Sequence, residues 1–437
     1  MRVVHNVGWY LPDSMGGTER YVESLVRGLV RSGVECVIAA ATDGKERYYD
    51  WNGTAVYRYR VPGTRDRAQL RGHQPHGDFD RFAQWLRAQK ADVYHQHSWT
   101  RGCGRDHLEA ARTLGYRTVV TVHVPSLICL RGTMMEGGHI ACDGHIGRRR
   151  CGRCWAASCT RLPVIPSLVG SLSDGLSRLA AAAPSGGALG SALAARALAE
   201  QKRRDVQVLG ALTDKVVAVC GWLRNALLSN GIPSERLVLM RHGVHHIDGH
   251  RLIPRSPALG TLRVGYLGRI TAVKGVDVLV RAVKKISTQC DIELHIRGHE
   301  QTDEDRSYGA ALRNESKDCD AIHWLGPLDP DKSAEFFEAI NVLAVPSVCM
   351  ETGPLVVLEA HAARVPVLGS RLGGITELVD HGRDGLLVAH GDVKAWGEVL
   401  RQCTGQPELL AELRAGIGPV RSSAAVVEDT LALYSGL

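Results

Sequence analysis

Runs of consecutive apolar residues alternate along this chain with stretches in which apolar residues recur every three or four positions. The first half carries RVVHNV (2–7), VECVIAA (34–40), TAVYRYRV (54–61), ADVYHQH (91–97) and RTVVTVH (117–123). Between them lie helical patterns at Thr18–Ser32, FDRFAQWLRAQ and HLEAARTLG, and 214–244 adds strand, helix, turn and strand. From 262 the alternation resumes with LRVGYLGRI, IELHIRG, AIHWLG, NVLAVPS, VPVLGS and GLLVAHGD as strands. Continuous apolar strands are buried on both faces, and strand–helix alternation predicts parallel sheets covered by helices. The expected fold class is therefore α/β.

At 437 residues the chain exceeds one ordinary core and predicts two domains. Residues 1–245 read as the first domain, with an insert over 127–205 that is Cys-rich at 129–159. The polar stretch 246–260 reads as a linker and 261–420 as the second domain. A composition of 44% hydrophobic and 23% charged residues is that of a globular protein. The net charge of +7 suits anionic phosphates or an anionic membrane surface, and no nucleic-acid-binding module is recognisable. No apolar run reaches the ~18 residues of a membrane span, and the first residues lack a signal peptide's long apolar core. The expected location is the cytoplasm, with peripheral membrane contact left open.

The stretch Val345–Glu377 concentrates the candidate chemistry. A strand ends at Pro346-Ser347, a loop carries Glu351, and Gly353-Pro354 leads into the apolar helix LVVLEAHAA with Glu359. Amides at a helix start form an anion site, and proline there gives up no needed donor, so Gly353 and Leu355 are the ones that count. Glu359 lies five residues after Pro354, roughly 7–8 Å along the helix. That span suits a ligand with phosphates at the helix start and hydroxyls beside it, such as a nucleotide sugar. Arg269 at a strand end and Lys274 at the next helix start can reach one anion. Gly16 and Gly17 form a strand-to-helix turn through which a phosphate can approach the backbone. His95, His97 and His123 sit at carboxyl ends of strands, where parallel sheets bind ligands.

Five of the twelve cysteines fall between Cys129 and Cys159, with Cys151-x-x-Cys154 as a knuckle. Tetrahedral zinc, a redox pair, an iron–sulfur cluster and unliganded thiols all fit that spacing. The rest are scattered like small core residues.

Taken in order, these motifs resemble the family-four retaining glycosyltransferases with the GT-B fold. The resemblance rests on Gly16-Gly17-Thr18-Glu19, VVTVH ending at His123, Gly268-Arg269…Lys274-Gly275, and Glu351 with Glu359, seven residues lying between them. It implies two Rossmann-like parallel-sheet domains facing across a cleft, with 421–437 a terminal helix packed back on the first domain. It implies transfer of a sugar from a UDP- or GDP-type donor, with configuration retained, by front-side displacement and without a catalytic divalent ion. Arg269 and Lys274 would neutralise the diphosphate, and Gly16, Gly17, Gly353, Pro354, Leu355 and Glu359 would hold the donor. Glu351 and His123 would position the sugar, and His97 would line the acceptor side. The resemblance also favours Cys129, Cys142, Cys151 and Cys154 as ligands of a structural zinc. Thr352-Gly353-Pro354 departs from the aromatic-Gly that commonly follows the first glutamate, which leaves the sugar unspecified. A GT-B nucleotide-sugar epimerase and a non-catalytic nucleotide-sugar-binding module are the alternatives. The acceptor and the oligomeric state are not legible.

Overall fold

The computed structural model describes every residue except 15, 65, 67, 68, 70–73, 161–165, 168, 170–172, 184–186, 245–259 and 330–331. The linker expected over 246–260 therefore lies outside the described residues, save Gly260. The chain divides into two compact units, Met1–His242 with Ser423–Leu437, and Gly243–Ser422.

The first unit is built on an eight-stranded sheet. Its strands are β1 (Arg2–Val7), β2 (Glu35–Thr42), β3 (Arg47–Trp51), β4 (Thr54–Arg60), β5 (Val93–Gln96), β6 (Arg117–Val122), β9 (Lys215–Ala218) and β10 (Leu237–Leu239). The order is β10-β9-β6-β5-β1-β2-β4-β3, parallel except where β3 pairs antiparallel with β4. Helix Gly17–Arg31 buries Tyr21, Val22, Leu25, Val26 and Leu29, a stripe of helical period, against Val3, Ile38 and Val119. The final helix, Ser423–Ser435, packs on the same helix, and a Cβ at Gly28 would collide with Val427. Glycine is needed there for close approach rather than for a special dihedral.

Between β6 and β9 lies a small antiparallel hairpin, β7 (Met135–Glu136) with β8 (Ile140–Ala141), followed by helix Arg148–Cys159. The alanine-rich stretch after it holds helices Asp174–Ala182, Gly187–Leu193 and Ala195–Leu212 among the described residues. Alanine's high helix propensity carries helix Gly187–Leu193 through Gly190, although glycine commonly marks loops.

The second unit has six parallel strands, β11 (Leu262–Leu267), β12 (Ile292–Arg297), β13 (Ile322–Trp324), β14 (Val342–Val345), β15 (Val367–Ser370) and β16 (Gly385–Val388). Their order is β13-β12-β11-β14-β15-β16. Successive residues serve opposite faces. Val342 and Ala344 join the core beneath helices Val276–Ile286 and Val393–Gly405, while Leu343 and Val345 join that beneath Ser333–Ala339 and Leu355–Ala362. The order reverses between β11 and β14, and at such a switch point the loops leaving the two strands diverge to opposite faces and open a crevice.

Candidate functional site

The second unit's loops meet at that switch point. From β11 comes Arg269, two residues beyond the strand, then the tight turn Ala272–Lys274 and Gly275. Lys274 thus ends a turn before the helix rather than opening the helix. Gly275 has φ +67°, and a Cβ there would run into the Pro346 carbonyl, so the loops after β11 and β14 touch through a bare backbone.

From β14 come Ser347 and Glu351. Lys274 Nζ donates to Glu351 Oε1 at 2.5 Å, and Ser347 Oγ donates to the same oxygen at 2.7 Å. The Glu351 side chain is 13% exposed and that of Lys274 26%, so the pair is largely withdrawn from water. Burial pushes the Glu351 carboxyl up, but the Lys274 charge and hydrogen bond, the Ser347 hydroxyl and the nearby Arg269 overcome it and hold it below its usual range. Arg269 Nη1 donates to Gln301 Oε1 at 2.9 Å, and its carbonyl accepts from the buried Tyr266 hydroxyl at 2.6 Å. Beside them burial pushes the Cys349 thiol up to about 12, which keeps it protonated and inert at neutral pH.

Pro354 caps helix Leu355–Ala362 instead of occupying its first turn, and the Val357 N–H returns to the Pro354 carbonyl at 3.1 Å. The amide of Gly374 donates to the Glu351 carbonyl at 2.6 Å, which ties the Gly-Gly turn to the glutamate loop. Glu359 is half-buried on the second turn. Ser347 and Gln301 were not read from the sequence. A serine at a strand end, four residues before a buried glutamate, was the available signal for the first.

In the first unit Gly16 caps helix Gly17–Arg31 and its carbonyl accepts from the Arg20 N–H at 3.1 Å. Glu19, buried just inside, accepts from Ser14 Oγ at 2.7 Å. The histidines at the strand ends are not separate. His5 Nδ1 lies 3.1 Å from His97 Nε2, His97 Nδ1 lies 3.3 Å from His123 Nε2, and His123 Nδ1 lies 3.3 Å from His242 Nε2. Both ring nitrogens of His123 therefore face other imidazoles. Tyr21 packs edge-on against His123 at 4.7 Å. His95 is held between the Tyr434 hydroxyl at 2.6 Å and the Thr121 hydroxyl at 2.8 Å. Burial pulls His5 down to about 3 and His95, His97 and His123 well below the usual imidazole value, so all four are neutral.

Cys129, Cys142, Cys151 and Cys154 line one small cavity with Arg131 and Arg150. The Gly137 N–H donates to Cys154 Sγ at 3.4 Å, and backbone N–H groups at Gly144 and Gly147 bear on the Cys142 and Cys151 sulfurs. Among the described residues, the triads whose ligand atoms fall within 4.8 Å of one another are His5/His95/His97 and Glu293/His295/His323. The four thiols share a cavity without reaching that spacing.

A family model described as "Glycosyl transferase 4-like domain" matches residues 16–243, and one described as "Glycosyl transferases group 1" matches 261–405. A D-inositol 3-phosphate glycosyltransferase of Pseudarthrobacter chlorophenolicus is 25% identical over 415 residues, 90% of this chain and 83% of that protein. A protein of the same name from Acidothermus cellulolyticus is 34% identical over 161 residues, 35% of each chain. Among solved structures, Anabaena Alr3699/HepE in complex with UDP superposes with a TM-score of 0.65 at 14% identity, covering 100% of both chains. Sucrose-phosphate synthase from Thermosynechococcus elongatus gives 0.66 at 17% identity, covering 100% of this chain and 99% of that one.

Proposed function

The chain belongs to the group 1, family-four type of glycosyl transferases with the GT-B fold, and from that premise we propose that it moves a sugar from a UDP- or GDP-type donor to a hydroxyl acceptor with retention of configuration. The observation that carries this reading is the buried Lys274–Glu351 pair at the switch point of the second unit, beside Arg269. In this reading Lys274 and Arg269 offset the charge that develops on the leaving diphosphate, and the amides at Gly353 and Leu355 add donors at the helix start. Glu359 accepts from the ribose hydroxyls and Glu351 from a hydroxyl of the transferred sugar. Gly16 and Gly17 allow the phosphates to approach the first unit's turn, His123 orients the sugar, and His97 serves the acceptor side through it.

The leaving phosphate oxygen takes the acceptor's proton as the new glycosidic bond forms on the face the phosphate leaves. Fixed cationic side chains supply the charge stabilisation, so this reaction needs no divalent ion. Donors of known anomeric configuration, offered with a panel of acceptors that includes D-inositol 3-phosphate, test the reading by NMR of the product. An inverted product, or sugar epimerised in the absence of acceptor, would overturn it.

The same reading gives the four cysteines a structural zinc. In its support, the thiols come from three separate segments to one cavity, with glycine amides directed at three of the sulfurs. Burial pushes the Cys142, Cys151 and Cys154 thiols up, so binding would release protons as thiolates form. The metal would cross-link the hairpin β7–β8 to helix Arg148–Cys159. Metal analysis of purified protein decides: about one equivalent of zinc supports it, and less than about half an equivalent removes it.

A further inference from the structure

Four histidines of the first unit form a single line. His5 stands mid-strand on β1, His97 just past β5, His123 just past β6, and His242 beyond β10. They are far apart in sequence, with separations of 92, 26 and 119 between successive partners, and the order of strands in the sheet brings them together. Their rings lie nearly parallel, at interplanar angles of 18°, 27° and 15°. At every junction the Nδ1 of one ring faces the Nε2 of the next.

A neutral imidazole has one N–H and one lone pair. A line joined Nδ1 to Nε2 therefore has only two consistent states, with every proton on Nδ1 or every proton on Nε2. The end of the line discriminates between them. His5 is fully buried, and its Nε2 meets no hydrogen-bond partner among the described residues. In the second state that atom is a buried N–H without an acceptor, an arrangement proteins rarely tolerate; in the first it is an unmatched lone pair, which they tolerate more often.

We infer that His5, His97, His123 and His242 form one hydrogen-bonded imidazole line with all protons on Nδ1, and that His5 and His97 are positioning residues that fix the tautomer and ring plane of His123. Burial keeps each of His5, His97 and His123 neutral, as the line requires. His95 lies tilted against His97, ring centres 4.0 Å apart, but stays outside the line, since its nitrogens face the Tyr434 and Thr121 hydroxyls. One nitrogen from each of His5, His95 and His97 lies close enough to the others to share a metal ion.

The inference adds positioning residues to the proposed transfer reaction and rests on that reading for its kinetic arm alone. In the full-length protein labelled with ¹⁵N-histidine, long-range proton–nitrogen correlation spectra report the protonated nitrogen of each ring without any activity. The expected result is Nδ1–H on all four residues. Nε2–H tautomers, a charged ring at neutral pH, or about one equivalent of zinc lost together with His5→Ala would overturn it.

The kinetic arm compares His5→Leu with His5→Asn, whose amide nitrogen stands where Nδ1 stood. His5→Leu is expected to lower kcat roughly tenfold, the low end of what losing an orienting partner costs, with donor KM little changed. His5→Asn is expected to restore the rate. Equal rates in the two variants, with the wild-type spectrum intact, would overturn the positioning role. If His5→Leu fails to fold, the wild-type spectrum together with His5→Asn still decides. If no donor and acceptor react while the spectrum shows Nδ1–H, the transfer reading fails and the line stands.

Discussion

The two units place polar residues at the same kind of location, the carboxyl ends of parallel strands, and solve the electrostatics in opposite ways. In the first, His5, His97 and His123 are buried, neutral and joined ring to ring, while neutral His95 is held between two hydroxyls. In the second, a lysine and a glutamate are charged and satisfy one another, with an arginine alongside. A neutral network holds shape and geometry without attracting an ion. A charged pair beside a spare cation is a standing field that a diphosphate can enter. The first region suits orientation and the second suits charge stabilisation, and the division predicts different sensitivities.

The largest difference should appear in acid. Each buried histidine has a depressed folded-state value, so the unfolded chain binds its proton first. The stability it contributes is complete above the ordinary value of 6.5 and is lost as pH falls below it, towards about 3 for His5. One unit below 6.5 the loss is on the order of 1 kcal/mol per histidine, so His5, His95, His97 and His123 together give up several kcal/mol. Glu351 is also depressed, but its contribution is complete above the ordinary 4.5 and is lost only below that. Hydrogen exchange at pH 5.5, corrected for intrinsic rates, should show the peptides around 2–7, 93–97 and 117–123 opening before those around 345–359. The reverse order would break the comparison.

Next in size is the charged pair. Lys274→Ala should reduce transfer by about 10²–10³-fold, the usual effect of removing one preorganised stabilising group. It should also lower thermal stability, because it leaves the Glu351 carboxylate largely buried without its cation. Adding Glu351→Gln should recover stability but not transfer. If the double variant recovers both, the pair is structural only.

Glu359→Gln should act on the donor alone and raise its KM about tenfold by weakening charge-assisted hydrogen bonds, with kcat nearly unchanged. The smallest functional effect belongs to Gly28→Ala. Its Cβ meets Val427 and should cost about 1–3 kcal/mol of stability, with donor affinity unaffected. Val427→Ala in the same chain should return most of that loss in thermal melts.

The two regions also differed in how far they could be read from the sequence. The charged site is local: Lys274 follows one strand, Glu351 another, and glycine and proline punctuate both loops. Strand–helix alternation gave the α/β class for the same reason, since its period is written along the chain. The imidazole line is not local. His95, His97 and His123 are visible as histidines at strand ends, but their neighbours His5 and His242 depend on sheet order, β10-β9-β6-β5-β1, which periodicity does not encode. Ser347 was missed because a single hydroxyl at a strand end has no distinguishing pattern. Lys274 ends a short turn closed by a left-handed Gly275, which in sequence reads like the start of a helix.

The central claim is that the second unit's strand ends hold the diphosphate of a nucleotide sugar. Thermal unfolding of the wild type and of Lys274→Ala, each titrated with UDP- and GDP-sugars, tests it most directly. At roughly 100 times its dissociation constant, one donor class should stabilise the wild type by about 2.7 kcal/mol, and Lys274→Ala should show little of that gain at the same concentration. Equal stabilisation of both proteins, or none of the wild type by any nucleotide sugar, would contradict the account.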